Sequence, residues 1–272
     1  MNLQMSDSRS IVITGSSRGI GYGLAESFLT LGCRVTVSGR RSESVEEARA
    51  TLAARHGSER VFGFPCDVRE HTQVQALWDA AQSHFGRIDV WINNAGVGHA
   101  QTAFWDQPAQ EMQEVVDANL VGAMYGGKVA LGGMMAQGFG SLYNMEGLGS
   151  DGRRVEGLTL YGSTKSALRY LTDAWAQETK GTGVIVGALS PGMVATRFIT
   201  DRYKDRPEEW EKAKRVLSIL SDRVETVTPW LARKVLANRK NGVRFNWLST
   251  GKLMGRFLSA PFRKRDPFQE VP

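Results

Sequence analysis

A doubly wound parallel α/β sheet in one domain is the architecture that this sequence of 272 residues predicts. Three observations carry the expectation. Short β-branched runs alternate with longer helical patterns, a glycine cluster separates the first run from the first helical pattern, and later runs also end in small-residue turns. Repeated strand–helix alternation implies parallel strands with helices on both faces, and ligands then bind outside the carboxyl ends of the strands.

The runs are "SIVIT" at 10–14, "RVTVS" at 34–38, "RVFGF" at 60–64, "IDVWI" at 88–92, "GSLYN" at 140–144 and "VIVGAL" at 184–189, with "VRFNWLS" at 243–249 as a last strand. Residues 1–9 read as a flexible N-terminus, 10–250 as the nucleotide-binding catalytic domain and 251–272 as a basic C-terminal tail. Two parts depart from the alternation. The stretch "LVGAMYGGKVALGGMMAQGFG" (120–140) is rich in small residues that let a helix approach its neighbour closely, either in a subunit contact or against its own sheet. Residues 197–226 are charged and helix-prone and follow a strand end, which suits a helical substrate lid or a solvated helix.

Composition narrows the function classes. Cys33 and Cys66 are too few and too far apart for a disulfide framework and suit a reducing compartment, so a cytoplasmic protein is expected. The N-terminal "MNLQMSDSRS" lacks the apolar run of a signal peptide. The net charge of +6 is concentrated: Leu231 to Arg265 holds ten Lys or Arg and no Asp or Glu. Nucleic-acid binding is not expected, because this charge lies outside any recognisable binding motif. The segment "GKLMGRFLSAPFRKR" leaves two readings open, peripheral contact with an anionic membrane or packing on its own subunit or a neighbour. No metal site is expected.

The first strand runs into "TGSSRGIG". Gly15, Gly19 and Gly21 permit a tight turn and close approach of a pyrophosphate, with Ser17, Arg18 and Ile20 completing the loop and the helix N-terminus supplying free N–H groups. An acidic residue at the end of the second strand would bind the ribose hydroxyls of NAD, but the chain reads Ser38-Gly39-Arg40-Arg41. Arg18, Arg40 and Arg41 could instead pair with a 2′-phosphate, so NADP(H) is the expected cofactor. After the third strand come Asp67, whose carboxylate suits the adenine amino group, and Val68; after the fourth come Asn94, Ala95 and Gly96.

Tyr161 and Lys165 stand four apart on a helix-prone stretch and share a face. A tyrosine of pKa about 10 is a poor acid–base catalyst at neutral pH, and a neighbouring ammonium favours its phenolate. With Thr14-Gly15-(x3)-Gly19-x-Gly21, Asn93-Asn94-Ala95-Gly96, Asn119 and Pro191-Gly192, in this order, the sequence resembles the short-chain dehydrogenase/reductase family over residues 11 to about 197. The resemblance implies a Rossmann fold, Tyr161 as proton donor, Lys165 on the nicotinamide ribose, Asn119 in a water-linked proton path, and Pro191, Gly192, Val194 and Thr196 beside the nicotinamide. Thr196 also suits a helix cap. A homodimer or homotetramer is the corresponding expectation for assembly.

One departure stands out. Most family members read Asn-x-Ser-Ser at the end of the fifth strand, whereas Asn144 here is followed by Met145, Glu146 and Gly147. Losing an oxyanion donor costs about 10² to 10³ in rate without abolishing turnover. Ser150 or the Gly147 backbone N–H are the candidate substitutes; Glu146 is expected to be a solvated carboxylate, or a general acid if buried and protonated. This segment, with "LTLYGSTKSALRYL" and "SPGMVATRF", resembles the chlorophyll b reductases, which use NADPH to reduce a 7-formyl group. The expected activity is therefore NADPH-dependent reduction of an aldehyde or ketone of a bulky hydrophobic substrate. The alternatives are a general carbonyl reductase on a steroid-like, quinone or acyl substrate, and an NADPH-binding redox sensor without turnover.

Overall fold

The computed structural model describes residues 8–204, 206–260 and 265–269. Seven parallel strands form one sheet: β1 (Ser10–Ile13), β2 (Arg34–Gly39), β3 (Val61–Pro65), β4 (Val90–Asn93), β5 (Gly140–Met145), β6 (Val184–Ser190) and, after a two-stranded ribbon of β7 (Met193–Val194) with β8 (Ser221–Asp222), β9 (Val243–Asn246). Their spatial order is β3-β2-β1-β4-β5-β6-β9, and the order reverses between β1 and β4. That reversal opens a crevice above the carboxyl ends of the strands.

Burial on both faces explains the continuous apolar runs. Ile11 and Ile13 of β1 point into one core layer, shared with Leu24 and Phe28 of α1 (Gly19–Thr30) and Leu231 of α9 (Val224–Ala237). Val12 points into the other, with Leu77 and Trp78 of α3 (His71–Phe85) and Met134 of α5 (Gly122–Gln137). The remaining helices are α2 (Ser42–His56), α4 (Ala109–Val116), α6 (Thr159–Glu178), the one-turn α7 (Arg197–Thr200), α8 (Pro207–Leu220) and α10 (Thr250–Ser259). None is long and apolar enough to cross a membrane among the described residues.

Three sequence expectations are revised, and of the two readings of the basic tail the structure shows packing on its own subunit. The last strand stops at Asn246, since Trp247 turns back to donate its indole N–H to Asp222. The insertion between β6 and α9 ends at Asp222, because α9 is a core helix packed on α1, with Val227 and Leu231 fully buried. The C-terminal segment is docked: Arg256 and Arg265 both pair with Asp222, and Phe268 is buried. Arg263 and Lys264, part of the basic stretch, lie outside the described residues, as do residues 1–7 of the N-terminus. Arg9, by contrast, is tied down by a hydrogen bond to the Leu236 carbonyl.

The small residues of α5 serve contact within the chain. A Cβ added to Gly126 would lie 2.1 Å from Asn93 Oδ1, one at Gly127 would lie 2.3 Å from the Trp175 ring, and one at Gly133 would lie 2.0 Å from the Trp78 ring. Sheet, α6 and α3 thus each press against a different glycine. Gly133→Ala should lower stability by about 1–3 kcal/mol through overpacking against a ring that has nowhere to move, measurable by urea unfolding; an unchanged midpoint and slope would refute this close approach.

Candidate active site

A crevice of about 2630 Å³ runs along the carboxyl edge of the sheet. Its floor at one end is the turn after β1. Gly15 and Gly19 have φ of 63° and 59°, and a Cβ at Gly15 would lie 2.8 Å from Ala95 Cα. No side chain caps the start of α1 and no acidic residue stands in its first turn, so its N–H groups face the crevice. Ser17, Arg18, Ile20, Gly21, Arg40, Arg41, Asp67 and Val68 line this end, followed by Asn94, Ala95 and Gly96. Arg18, Arg40 and Arg41 are exposed. Asp67 is held by Arg69 at 2.6 Å, which keeps its carboxyl below the ordinary range despite partial burial; its sequence-based role toward adenine must therefore be shared with this pair. The uncapped helix, the bare turn and the cations fit a dinucleotide phosphate group.

The far end is built on a buried polar network. Trp91 Nε1 donates to Asn93 Oδ1 at 2.8 Å, Asn93 Nδ2 to Asn144 Oδ1 at 2.9 Å, and Asn144 Nδ2 to Thr172 Oγ1 at 2.8 Å. β4, β5 and α6 are thereby locked in register. Asn119 sits in a π turn, residues 117–121, between α4 and α5. It lies one layer behind the crevice wall, its Oδ1 accepting from the Val97 N–H at 2.7 Å and its Nδ2 donating to the Val97 carbonyl at 2.9 Å. A Cβ at Gly96 would lie 3.0 Å from Asn119 Oδ1 and 3.9 Å from Lys165 Nζ, so these three positions meet.

Tyr161 and Lys165 project from the first turns of α6 into the crevice and both are buried. Lys165 Nζ donates to the Met145 carbonyl at 3.0 Å and stands 5.7 Å from the centre of the Tyr161 ring. The expectation that Lys165 acidifies the phenol is corrected here. Burial pushes the Tyr161 phenol up to about 12, and the charge opposing that rise is Arg202 of the insertion between β6 and α9. Its backbone N–H, free because it lies in the first turn of α6, donates to His99 Nε2 at 3.2 Å. His99 Nδ1 in turn lies 2.7 Å from the Ala100 carbonyl and 3.2 Å from Gln107 Nε2. No sequence signal marked His99.

The segment after β5 differs from both expectations for Glu146. It is neither solvated nor alone: its side chain is buried and Arg244 of β9 binds it at 2.8 and 2.9 Å, 98 positions away in sequence. Burial raises its pKa, with Arg244 opposing, and its charge in turn helps keep Lys165 protonated. Ser150 is committed, donating to the Gly147 carbonyl at 2.6 Å. Gly147 has a steric reason: a Cβ there would lie 2.5 Å from the Tyr161 hydroxyl. With the phenol in this position no serine fits. Pro191, Gly192, Val194 and Thr196 line the opposite wall. Thr196 precedes α7 without a side-chain cap bond, its hydroxyl donating weakly to the Val194 carbonyl at 3.4 Å.

A nucleotide-phosphate cradle and a tyrosine–lysine pair sharing one crevice define an oxidoreductase of the Rossmann class. The chain belongs to the short chain dehydrogenase family, whose profile matches residues 9–207. Among curated relatives it is 35% identical over 232 residues to chlorophyll(ide) b reductase NOL of Oryza sativa subsp. japonica, covering 84% of this chain and 66% of that protein. It is 30% identical over 272 residues to the probable chlorophyll(ide) b reductase NYC1 of Arabidopsis thaliana, covering 94% and 54% respectively. The chain thus spans under two thirds of the length of these chloroplastic relatives. A variant of actinorhodin polyketide ketoreductase crystallised with NADPH superimposes with a TM-score of 0.78 at 25% identity, over 89% of this chain and 97% of the other.

Burial holds the Lys165 ammonium down to about 8, against its ordinary 10.5. Between those values the unfolded chain binds more protons than the folded one, so stability rises with pH through that window. The stability difference between wild type and Lys165→Met should move in favour of wild type by about 2 kcal/mol from pH 7 to pH 9.5, read from urea unfolding at each pH. A flat or falling difference would contradict a desolvated ammonium.

Proposed function

We propose that this protein is an NADPH-dependent carbonyl reductase that converts an aldehyde or ketone of a bulky hydrophobic substrate to an alcohol, the 7-formyl group of chlorophyll b or of its phytol-free form being the named candidate. The observation that carries the reading is the placement of the Tyr161 phenol and the Lys165 ammonium in one crevice with an uncapped, glycine-rich nucleotide cradle. The relatives named chlorophyll(ide) b reductase support the substrate class.

NADPH, when bound, supplies the hydride. Gly15, Ser17, Gly19, Ile20 and Gly21 would hold its pyrophosphate, Arg18, Arg40 and Arg41 its 2′-phosphate, and Pro191, Gly192, Val194 and Thr196 its nicotinamide end. Tyr161 donates a hydrogen bond to the substrate oxygen and transfers its proton there as the carbonyl carbon takes the hydride, which balances the reduction to an alcohol. Lys165 anchors the ribose and, with Asn119, sustains resupply of the proton. The crevice of about 2630 Å³, which would also take the dinucleotide, supports a bulky reactant.

Incubation of the purified protein with NADPH and a panel of bulky aldehydes and ketones, chlorophyll b and its phytol-free form included, should consume NADPH. Tyr161→Phe should lower kcat/KM about 10²- to 10⁴-fold on any accepted substrate. Tight NADPH binding with no consumption on any carbonyl would favour the sensor reading instead. Arg40→Asp should lower the ratio of kcat/KM with NADPH to that with NADH by about tenfold or more, the loss expected for a charge-assisted phosphate contact; an unchanged ratio refutes the assignment.

A further inference from the structure

Arg202 of the insertion differs from the other described crevice arginines in having a buried Nε without an acceptor. Among the arginines lining the crevice, Arg153 pairs with Asp151 at 2.6 Å, Arg169 with Asp173 at 4.0 Å and Arg206 with Glu209 at 3.1 Å. Arg202 pairs with no carboxylate among the described residues. Its guanidinium carbon lies 4.8 Å from the centre of the Phe198 ring and 5.6 Å from that of Tyr161, and its Nε is buried with no hydrogen-bond acceptor. Gly98 faces it: a Cβ there would lie 3.2 Å from Arg202 Nη2, so the bare glycine leaves the guanidinium room.

A buried guanidinium N–H without an acceptor, here that of Arg202 Nε, is costly to maintain, and native structures keep such groups where something completes them. Among the described residues only weak partners are offered, two aromatic faces. A planar fork with unfilled donors matches a carboxylate, which accepts two parallel hydrogen bonds. The location narrows the ligand further, because the cation stands over the same tyrosine ring that would deliver the proton.

We propose that Arg202 is a substrate-binding residue and that the preferred substrate carries a carboxylate close to its reacting carbonyl. This rests on the carbonyl-reductase reading of the crevice and narrows its substrate class to formyl or keto acids, in place of chlorophyll b, whose 7-formyl group has no carboxylate beside it. Pairing of the carboxylate with Arg202 fills the empty donors and orients the carbonyl toward the Tyr161 hydroxyl. The aromatic ring of Phe198 holds the guanidinium plane in place from the lid side.

The test compares para- and meta-formylbenzoate with their methyl esters as substrates for wild type, Arg202→Leu and Arg202→Lys, with NADPH. Wild type should prefer at least one acid over its ester by about tenfold or more in kcat/KM, mostly through KM. Arg202→Leu should erase that preference and Arg202→Lys should recover part of it. Equal use of acid and ester by wild type, or an equal fall on both in Arg202→Leu, overturns the proposal; the second result would make Arg202 a residue that acts on the phenol alone. A tenfold loss of NADPH affinity in Arg202→Leu with the acid-to-ester ratio intact also overturns it, assigning the cation to the dinucleotide.

Calorimetric binding of para-(hydroxymethyl)benzoate to the NADP⁺-loaded protein separates this idea from the reading beneath it. If neither aldehyde is reduced but wild type binds this carboxylate and Arg202→Leu does not, the anion site stands and the reductase reading falls. If neither aldehyde is reduced and wild type does not bind it, the anion site falls as well.

Discussion

A buried ammonium at the end of β5 is the constraint around which the site is arranged. Lys165 is almost wholly removed from water, and a charge so placed is tolerated only with close partners. The Met145 carbonyl provides the hydrogen bond and the Glu146 carboxylate the opposing charge. Glu146 itself needs a counter-charge, and Arg244 reaches it from the edge strand β9, across β6, touching Asp173 of α6 on its other side. One lysine on α6 thus determines what must stand at the ends of β5 and β9. The residues that replace the usual serines belong to this arrangement: Glu146 balances charge, and Gly147 makes space for the phenol.

The same elements are held together below the site by shape. The glycines of α5 let three indole or amide groups come within contact of its backbone, so the helix lies close against the sheet, α3 and α6. That closeness carries the π turn with Asn119 to the Val97 backbone and brings it near Thr164 of α6, at 3.5 Å. Core packing and polar satisfaction therefore fix the same geometry, which is how a site on strand ends and a helix start keeps its register.

What the sequence disclosed and what it withheld follow from distance along the chain. The strands, the glycine turn and the Tyr161–Lys165 spacing are local patterns, and the fold class and crevice position could be read from them. The strand from 243 ran too long on paper because the reason it ends, the turn of Trp247 toward Asp222, is tertiary. The burial of Glu146 was illegible for the same reason, since nothing near it in sequence announces Arg244. His99 lies beyond the Asn-Asn-Ala-Gly turn in a stretch without periodicity, and its bond to the Tyr161 backbone spans 62 positions. The direction of the phenol's shift was misjudged because composition shows a neighbouring lysine but not how dry the pair is, and desolvation outweighs the nearby charges.

Asp222 gathers three donors from the C-terminal third of the chain, the Trp247 indole and the guanidinium groups of Arg256 and Arg265. The far end of the insertion is consequently riveted to the body of the molecule, while its near half, beginning at Arg197, is joined through the short β7 and a single helical turn. The near end meets the same residue, because Ala195 donates its N–H to the Asp222 carbonyl at 2.9 Å beside the β7–β8 pairing. The docked C-terminal helix thereby acts as a doorpost, braced on the residue at which both ends of the insertion meet.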